Sequence, residues 1–243
     1  MEKKLNEQVL FKTLTNPKKE RSSHDVSIYN QIFDAILSQR LLPGTKLTEE
    51  ELAKIFKVSR TIVRRALLRL SQDCIVEIKP NRGASVACPT IKQAKEIIQA
   101  RRILEAEIIR EVVKVIDQEQ IDALRKLVGE EKINVEHHTR SSGIRLSGDF
   151  HLELARLSKN TTLTKFIREL IPQTSLVIAR YEKPGYANCS HSEHYELIDI
   201  IASGDAQSAV LLMDKHLLHI EHKLDLSEYN QQVDLKTLFS EVG

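Results

Sequence analysis

Apolar positions recur at spacings of three and four along most of the chain, the pattern of helices that bury one face. The first stripe starts near Val26 and runs through Ile28, Ile32, Phe33, Ala35, Ile36 and Leu37; Leu41-Leu42-Pro43-Gly44 then breaks it. Thr48-Glu49-Glu50-Glu51 has the form of a capping box, with Thr48 as N-cap and Glu51 three residues on. It predicts a short helix that buries Leu52, Ala53 and Phe56. Lys57-Val58 turns the chain, Ser59 is the N-cap of the next helix, and Val63, Ala66, Leu67 and Leu70 form the buried face of a helix over 60–72. Short β-branched runs on either side of Lys79-Pro80-Asn81-Arg82-Gly83 predict a hairpin with a basic tip.

Beyond Cys88-Pro89, Thr90 can cap a long amphipathic helix over 91–116, apolar at Ile97, Ile98, Leu104, Ile108, Ile109 and Val112. Further helical patterns cover 118–135, 145–158, 161–182, 191–203 and 205–228, with no strand-like alternation among them. The expected fold is mainly α: an N-terminal winged helix-turn-helix followed by a C-terminal all-α helical bundle. The expected divisions are a flexible basic arm over 1–22, the winged unit over 23–88, the helical unit over 89–228 and a tail over 229–243.

Composition narrows the class. With 8 glycines in 243 residues, glycine is about 3%, well under the usual ~7%, which argues against a Gly-rich phosphate cradle or a turn-rich all-β fold. No apolar run reaches the roughly 18 residues a membrane span needs, and Met1-Glu2-Lys3-Lys4-Leu5 lacks the apolar stretch of a signal peptide. Cys74, Cys88 and Cys189 are widely spaced and odd in number, which suits a reducing, cytoplasmic setting and excludes a disulfide scaffold or an all-cysteine zinc site. Charge is uneven: residues 1–88 hold 16 Lys/Arg against 10 Asp/Glu, and residues 89–243 hold 20 against 24. A basic N-terminal third is the footprint of a polyanion-binding module.

On the helix over 60–72, Arg60, Thr61, Arg64 and Arg65 fall roughly opposite the buried face. Guanidinium groups near a helix N-terminus suit bidentate bonds to guanine edges or phosphate, helped by the positive end of the helix dipole. The stretch Leu42-Pro43-Gly44-x-x-Leu47-x-Glu49-x-x-Leu52-Ala53, then Val58-Ser59-Arg60-Thr61-x-Val63-Arg64-x-Ala66-Leu67-x-x-Leu70, then Arg82-Gly83-Ala84-x-Val86 resembles the GntR family of bacterial transcriptional regulators over residues 27–87. The resemblance implies operator contacts from Ser59, Arg60, Thr61, Arg64, Arg65 and the wing residues Arg82 and Gly83. The chain departs from the family at Ile62, usually proline, at Arg65, usually acidic, and at Cys74, usually glycine. Glu50 stands where some members carry a DNA-contacting arginine, so that contact is not carried over.

His151, His194 and His216 each sit in an otherwise apolar stripe, whereas His137-His138 falls in a polar loop. From the residues alone, three inward histidines on three helices fit either a shared divalent metal or satisfied core imidazoles. Phe150-His151-x-x-Leu154-Ala155, together with His194-x-x-Leu197-Ile198, Gly204-Asp205 and Met213-x-x-His216-Leu217, is similar to the FCD (FadR-like) effector domain over about 92–225, as is Arg101-x-x-x-Glu105. That resemblance implies a divalent metal, Zn or Ni, on His151, His194 and His216. The usual aspartate position is Ser147, and Asp149 lies on the wrong side of the helix to replace it. Arg101 and Arg180 are candidates to neutralise a small carboxylate effector, with an ion pair to Glu105 or another acid as the alternative.

These readings point to a repressor that binds double-stranded operator DNA at an inverted repeat as a homodimer and senses a small carboxylate around a divalent metal. The alternatives are a regulator for which the metal itself is the signal, and a metal-dependent enzyme with a DNA-binding appendage. No HExxH, GxSxG, P-loop or GxGxxG is present, so no catalytic residue is assigned.

Overall fold

The computed structural model of the chain describes residues 24–137, 140–182 and 190–226. The arm over 1–22, the tail over 229–243, His138 and Cys189 lie outside the described residues.

The winged unit is built as its apolar spacing requires. Helix α1 (His24–Leu37) buries Ile28, Ile32, Phe33, Ile36 and Leu37, together with Tyr29. Strand β1 (Lys46–Leu47) leads into α2 (Glu49–Phe56), whose N-cap Thr48 accepts from the Glu51 amide. Only Leu52 of α2 is fully buried; Ala53 and Phe56 are half-buried at the edge of the core, because an eight-residue helix presents a single turn to it. Lys57 ends α2 in the left-handed region (φ 54). Ser59 opens α3 (Arg60–Gln72) but makes no side-chain cap bond. Val63, Ala66, Leu67 and Leu70 of α3 face the core.

Strands β2 (Val76–Lys79) and β3 (Gly83–Val86) pair antiparallel with Val76 opposite Val86 and Lys79 opposite Gly83. The turn between them needs positive φ at Asn81 (60) and Gly83 (76), a region glycine enters without penalty. Lys46 and Leu47 add a third strand on the far side of β3, giving the order β1-β3-β2. Two residues are too few to show alternation, so this strand left no trace in the sequence pattern.

The remainder is helical: α4 (Ile91–Val115), α5 (Gln118–His137), α6 (Arg140–Leu157), α7 (Thr161–Tyr181), α8 (Ser190–Ser203) and α9 (Ala206–Lys223). Thr90 and Gln93 close a reciprocal capping box at the start of α4. Helix α5 continues to His137, so that residue ends a helix rather than lying in a loop. The core gathers Ile108, Ile109, Leu124, Val128, Phe150, Ile167, Ile198 and Met213 from all six helices. Burying Phe150 alone is worth about 1.5–3 kcal/mol. Arg102 of α4 holds Asp214 of α9 through two bonds, of 2.6 and 3.0 Å. Gly148 lets α6 approach α7: a Cβ there would lie 2.8 Å from Ile171 Cγ2.

The two units are docked. Leu176 and Ala179 of α7 join the core of the winged unit, and Gln39 Nε2 donates to the Ala179 carbonyl at 2.5 Å. Arg145 of α6 reaches across to α1: its Nε donates to Asp34 at 2.5 Å, its Nη2 to the Asn30 carbonyl at 3.0 Å, and its guanidinium lies 4.6 Å from the Phe33 ring centroid. Arg145 sits six residues before His151, so one helix carries both the domain contact and a candidate ligand. Between the wing and α4 and α7 runs a cleft of 710 Å³ lined by Cys74, Val76, Lys79, Cys88, Ile97 and Leu176, among others.

Candidate functional site

The three predicted histidines come together at the centre of the bundle. His151 (α6), His194 (α8) and His216 (α9) are 2%, 0% and 2% exposed. His216 Nε2 lies 3.3 Å from both His194 Nε2 and His151 Nε2, and all candidate ligand atoms fall within 4.8 Å of one another. Phe150 stacks on His194 with ring centroids 4.1 Å apart, fixing that imidazole plane from behind.

Each imidazole is backed on its other nitrogen by a glutamate. His151 Nδ1 lies 2.5 Å from Glu105 of α4, His194 Nδ1 lies 2.7 Å from Glu131 of α5, and His216 Nδ1 lies 2.7 Å from Glu193 of α8. Burial would raise Glu105, but the Arg101 guanidinium and His151 outweigh it and hold the carboxyl at about 2. Burial likewise works against Glu193, and hydrogen bonds from His216 and His219 bring it to about 2. Burial pushes His151 down to about 3 and His216 to about 4, against the pull of their glutamates. At neutral pH both imidazoles are therefore uncharged and their glutamates ionised. An ionised carboxylate can only accept, so Nδ1 of His151 and His216 carries the proton and Nε2 keeps its lone pair. His194 has the same geometry against Glu131.

Nitrogen lone pairs 3.3 Å apart repel one another unless a cation lies among them. Neutral imidazole nitrogens oriented by carboxylates are the donor set of zinc and similar divalent metals, so the three buried histidines can hold such an ion. Glu131 and Glu193 were not singled out by the sequence pattern. The one available signal is that Glu131 continues the apolar stripe of Leu124 and Val128, at four and three residues' spacing.

The other candidates take varied places. Arg101 donates from Nε to Glu105 at 2.6 Å, as the ion-pair alternative had it, yet its buried Nη2 has no hydrogen-bond partner. Arg180 is not brought to the histidines. It lies near the far end of α7, with its guanidinium against the Cys88 sulfur and 4.9 Å from the Tyr181 ring centroid. Ser147 is half-buried on α6. Asp149 is buried with Oδ1 unpaired, and burial raises its carboxyl to about 7. His219 shares Glu193 with His216 from the helix flank, and His222 is exposed. His191 lies inside the first turn of α8.

On the winged unit, Ser59, Arg60, Thr61, Arg64 and Arg65 are exposed on α3, and Arg82 and Gly83 are exposed at the wing. The arginines face acids of the neighbouring helices. Arg64 gives Nε and Nη2 to Glu49 at 2.8 Å each, Arg60 pairs with Glu50 at 3.0 Å, and Arg65 reaches Asp25 at 3.8 Å. The Arg64–Glu49 and Arg60–Glu50 pairs are solvent-exposed, worth little, and readily exchanged for phosphate or a base edge.

Comparison with known proteins matches these two regions separately. Residues 25–86 match the gntR family of bacterial regulatory proteins, and residues 96–219 match the FCD domain. The HTH-type transcriptional regulator YdhC of Bacillus subtilis is 26% identical over 211 residues, covering 84% of this chain and 94% of its own. The HTH-type transcriptional repressor RspR of Escherichia coli K12 is 22% identical, covering 81% and 87%. Among solved structures, a GntR transcriptional regulator from Rhodococcus sp. RHA1 superimposes with TM-score 0.68 at 23% identity, over 82% of this chain and 96% of that one. McbR/YncC of E. coli superimposes with TM-score 0.69 at 18% identity, over 91% and 99%. Among the described residues no helix is long and apolar enough to cross a membrane. The chain belongs to the gntR family of bacterial regulatory proteins, a DNA-binding transcriptional regulator with an FCD domain.

Proposed function

We propose that this regulator is a cytoplasmic repressor in which His151, His194 and His216 hold one divalent ion, Zn or Ni, and a small carboxylate effector completes the site. The observation that carries the reading is the convergence of three buried Nε2 atoms, each imidazole turned inward by its own glutamate. The ion supplies a positive centre for a carboxylate oxygen. With Ser147 in place of an acidic ligand, three protein nitrogens leave coordination positions open. Arg101 supports the organic effector over the metal as sole signal, because its buried Nη2 donors have no partner and suit the effector's second oxygen. A repressor role is supported by the name of one relative.

Ser59, Arg60, Thr61, Arg64 and Arg65 would face the major groove, and Arg82 and Gly83 the minor groove. We place the division of the chain at residues 88/89, between wing and bundle. One winged unit covers a half-site, so a two-fold homodimer on an inverted repeat is the arrangement that lengthens recognition. Exposed Ile103 on α4 and Leu211 on α9 give a partner an apolar surface. Effector binding would act through α6, which carries both His151 and the Arg145 contact to α1. A coupling of about 1–3 kcal/mol is enough to change operator occupancy.

The test uses genomic fragments retained by the purified protein as operator. Metal is titrated into the binding assay first, then small mono-, di- and tricarboxylates. The reading expects a carboxylate to shift operator affinity only in the metal-loaded protein. A shift from metal alone, with no response to any carboxylate, would make the metal the signal; turnover of a carboxylate would make the protein an enzyme.

A further inference from the structure

Helix α2 opens with three acids, Glu49, Glu50 and Glu51. Glu51 belongs to the Thr48 cap and donates its amide to the Thr48 hydroxyl. Glu49 and Glu50 reach across to the arginines of α3. Carboxylates beside a surface that meets a polyanion oppose its binding through charge alone. The geometry of the two pairs shows what these carboxylates do in return.

Glu49 accepts from Nε and Nη2 of Arg64, so it takes the long side of the guanidinium fork. The Nη1–Nη2 end of the same fork is left to meet a ligand, and two donors there match the O6 and N7 acceptors of guanine. The Arg64 hydrogen bonds hold the Glu49 carboxyl below its ordinary value, so it stays ionised. Glu50 lies between two cations, Nη2 of Arg60 and Nζ of Lys54, each at 3.0 Å. A guanine edge is uncharged and can be taken by the free end of the fork with the carboxylate still in place. A phosphate either shares the guanidinium with that carboxylate or displaces it. The pair itself costs little to break, but the displaced carboxylate remains on the first turn of α2, beside the incoming phosphate. Like charges set together in this way reject a wrong partner.

We propose that Glu49 and Glu50 are specificity-determining residues, which hold Arg64 and Arg60 so that a guanine edge is accepted and a phosphate contact is disfavoured. Sequence-independent DNA offers these arginines phosphates and few matching base edges, so the carboxylates weaken binding to it more than binding to the operator. Affinity is given up on all DNA, and the ratio between operator and other DNA rises. This rests on the placement of α3 in the major groove and is independent of the metal and effector reading.

The full chain and a Glu49→Gln, Glu50→Gln double variant are titrated with two duplexes of equal length. One is the operator retained from genomic fragments, and the other is a shuffled sequence of the same composition. The amides keep the shape of both side chains, and far-UV dichroism checks that α2 persists. In the double variant, affinity for shuffled DNA should rise about tenfold and operator affinity by less than about threefold. The slope of log affinity against log salt on shuffled DNA should steepen by roughly one to two, as two more arginines meet phosphates. An Asp122→Asn, Asp199→Asn control removes two exposed charges from α5 and α8, and should leave the operator-to-shuffled ratio within about twofold of the unmutated chain. An equal rise on both duplexes, no rise on shuffled DNA, a loss of operator affinity or a like fall of the ratio in the control would overturn the proposal. Arg64→Ala separates it from the placement of α3. If that variant loses operator affinity while the double variant leaves the ratio unmoved, the discrimination by Glu49 and Glu50 fails and the placement stands.

Discussion

The exposed arginine face of α3 and the centre of the bundle both set nitrogen groups against carboxylates, in opposite surroundings. Arg64 meets Glu49 through two 2.8 Å bonds with 64% of the arginine side chain exposed. His151 meets Glu105 at 2.5 Å with 1% and 2% exposed. Water competes for the first pair and cannot reach the second, so the first is an exchangeable contact and the second a fixed part of the core. A surface that must release its partner for phosphate or a base needs the former. A site that must keep three imidazoles in one tautomer and orientation needs the latter.

The largest effect should come from removing the buried carboxylate. Glu105→Ala leaves the Arg101 guanidinium in the core without its counter-charge and His151 without the acceptor of its Nδ1 proton. We expect a loss of about 3–5 kcal/mol in chemical denaturation; a loss below about 1 kcal/mol would show that the bundle is not held this way. Next, Arg64→Ala should weaken specific DNA binding roughly tenfold to hundredfold, the value of one bidentate base contact, with unchanged far-UV dichroism. Unaltered affinity would remove Arg64 from the reading face.

Arg145→Ala tests the joint between the two regions. Its charge-assisted bonds to Asp34 and Asn30 are partly buried, so we expect a loss of about 1–2 kcal/mol. The winged unit should also exchange its α1 amides faster, while the bundle's protection is unchanged; equal changes in both would mean that Arg145 does not join them. The smallest effect should be that of Glu49→Gln, the surface counterpart of Glu105→Ala. Specific affinity should change by less than about threefold. A loss as large as that of Arg64→Ala would mean that the exposed pair is as fixed as the buried one.

Much of this was legible in the chain because helical periodicity and capping are local. The stripe through Val63, Ala66, Leu67 and Leu70 places α3, and Thr90 with Gln93 places the start of α4. The histidines could be read as inward because Phe150, Leu197 and Leu217 surround them with apolar positions. What sequence does not carry is pairing between helices. Glu131 is 63 residues from His194 and Glu105 is 46 from His151, and no local rule links such positions. Arg101 and Glu105, four apart on one helix, were readable as a pair for the reason the others were not. Arg180 was a candidate to meet an effector carboxylate, but the length of α7 carries it to the linker and Cys88.

The central claim is that the three histidines are a metal centre rather than satisfied core imidazoles. The most direct test is elemental analysis of protein purified without a histidine tag, before and after supply of Zn or Ni, beside a His194→Ala and His216→Ala double variant. The account predicts about one divalent ion per chain in the unmutated protein and its loss in the variant. Less than about a tenth of an ion per chain, with no gain when metal is supplied, would contradict it.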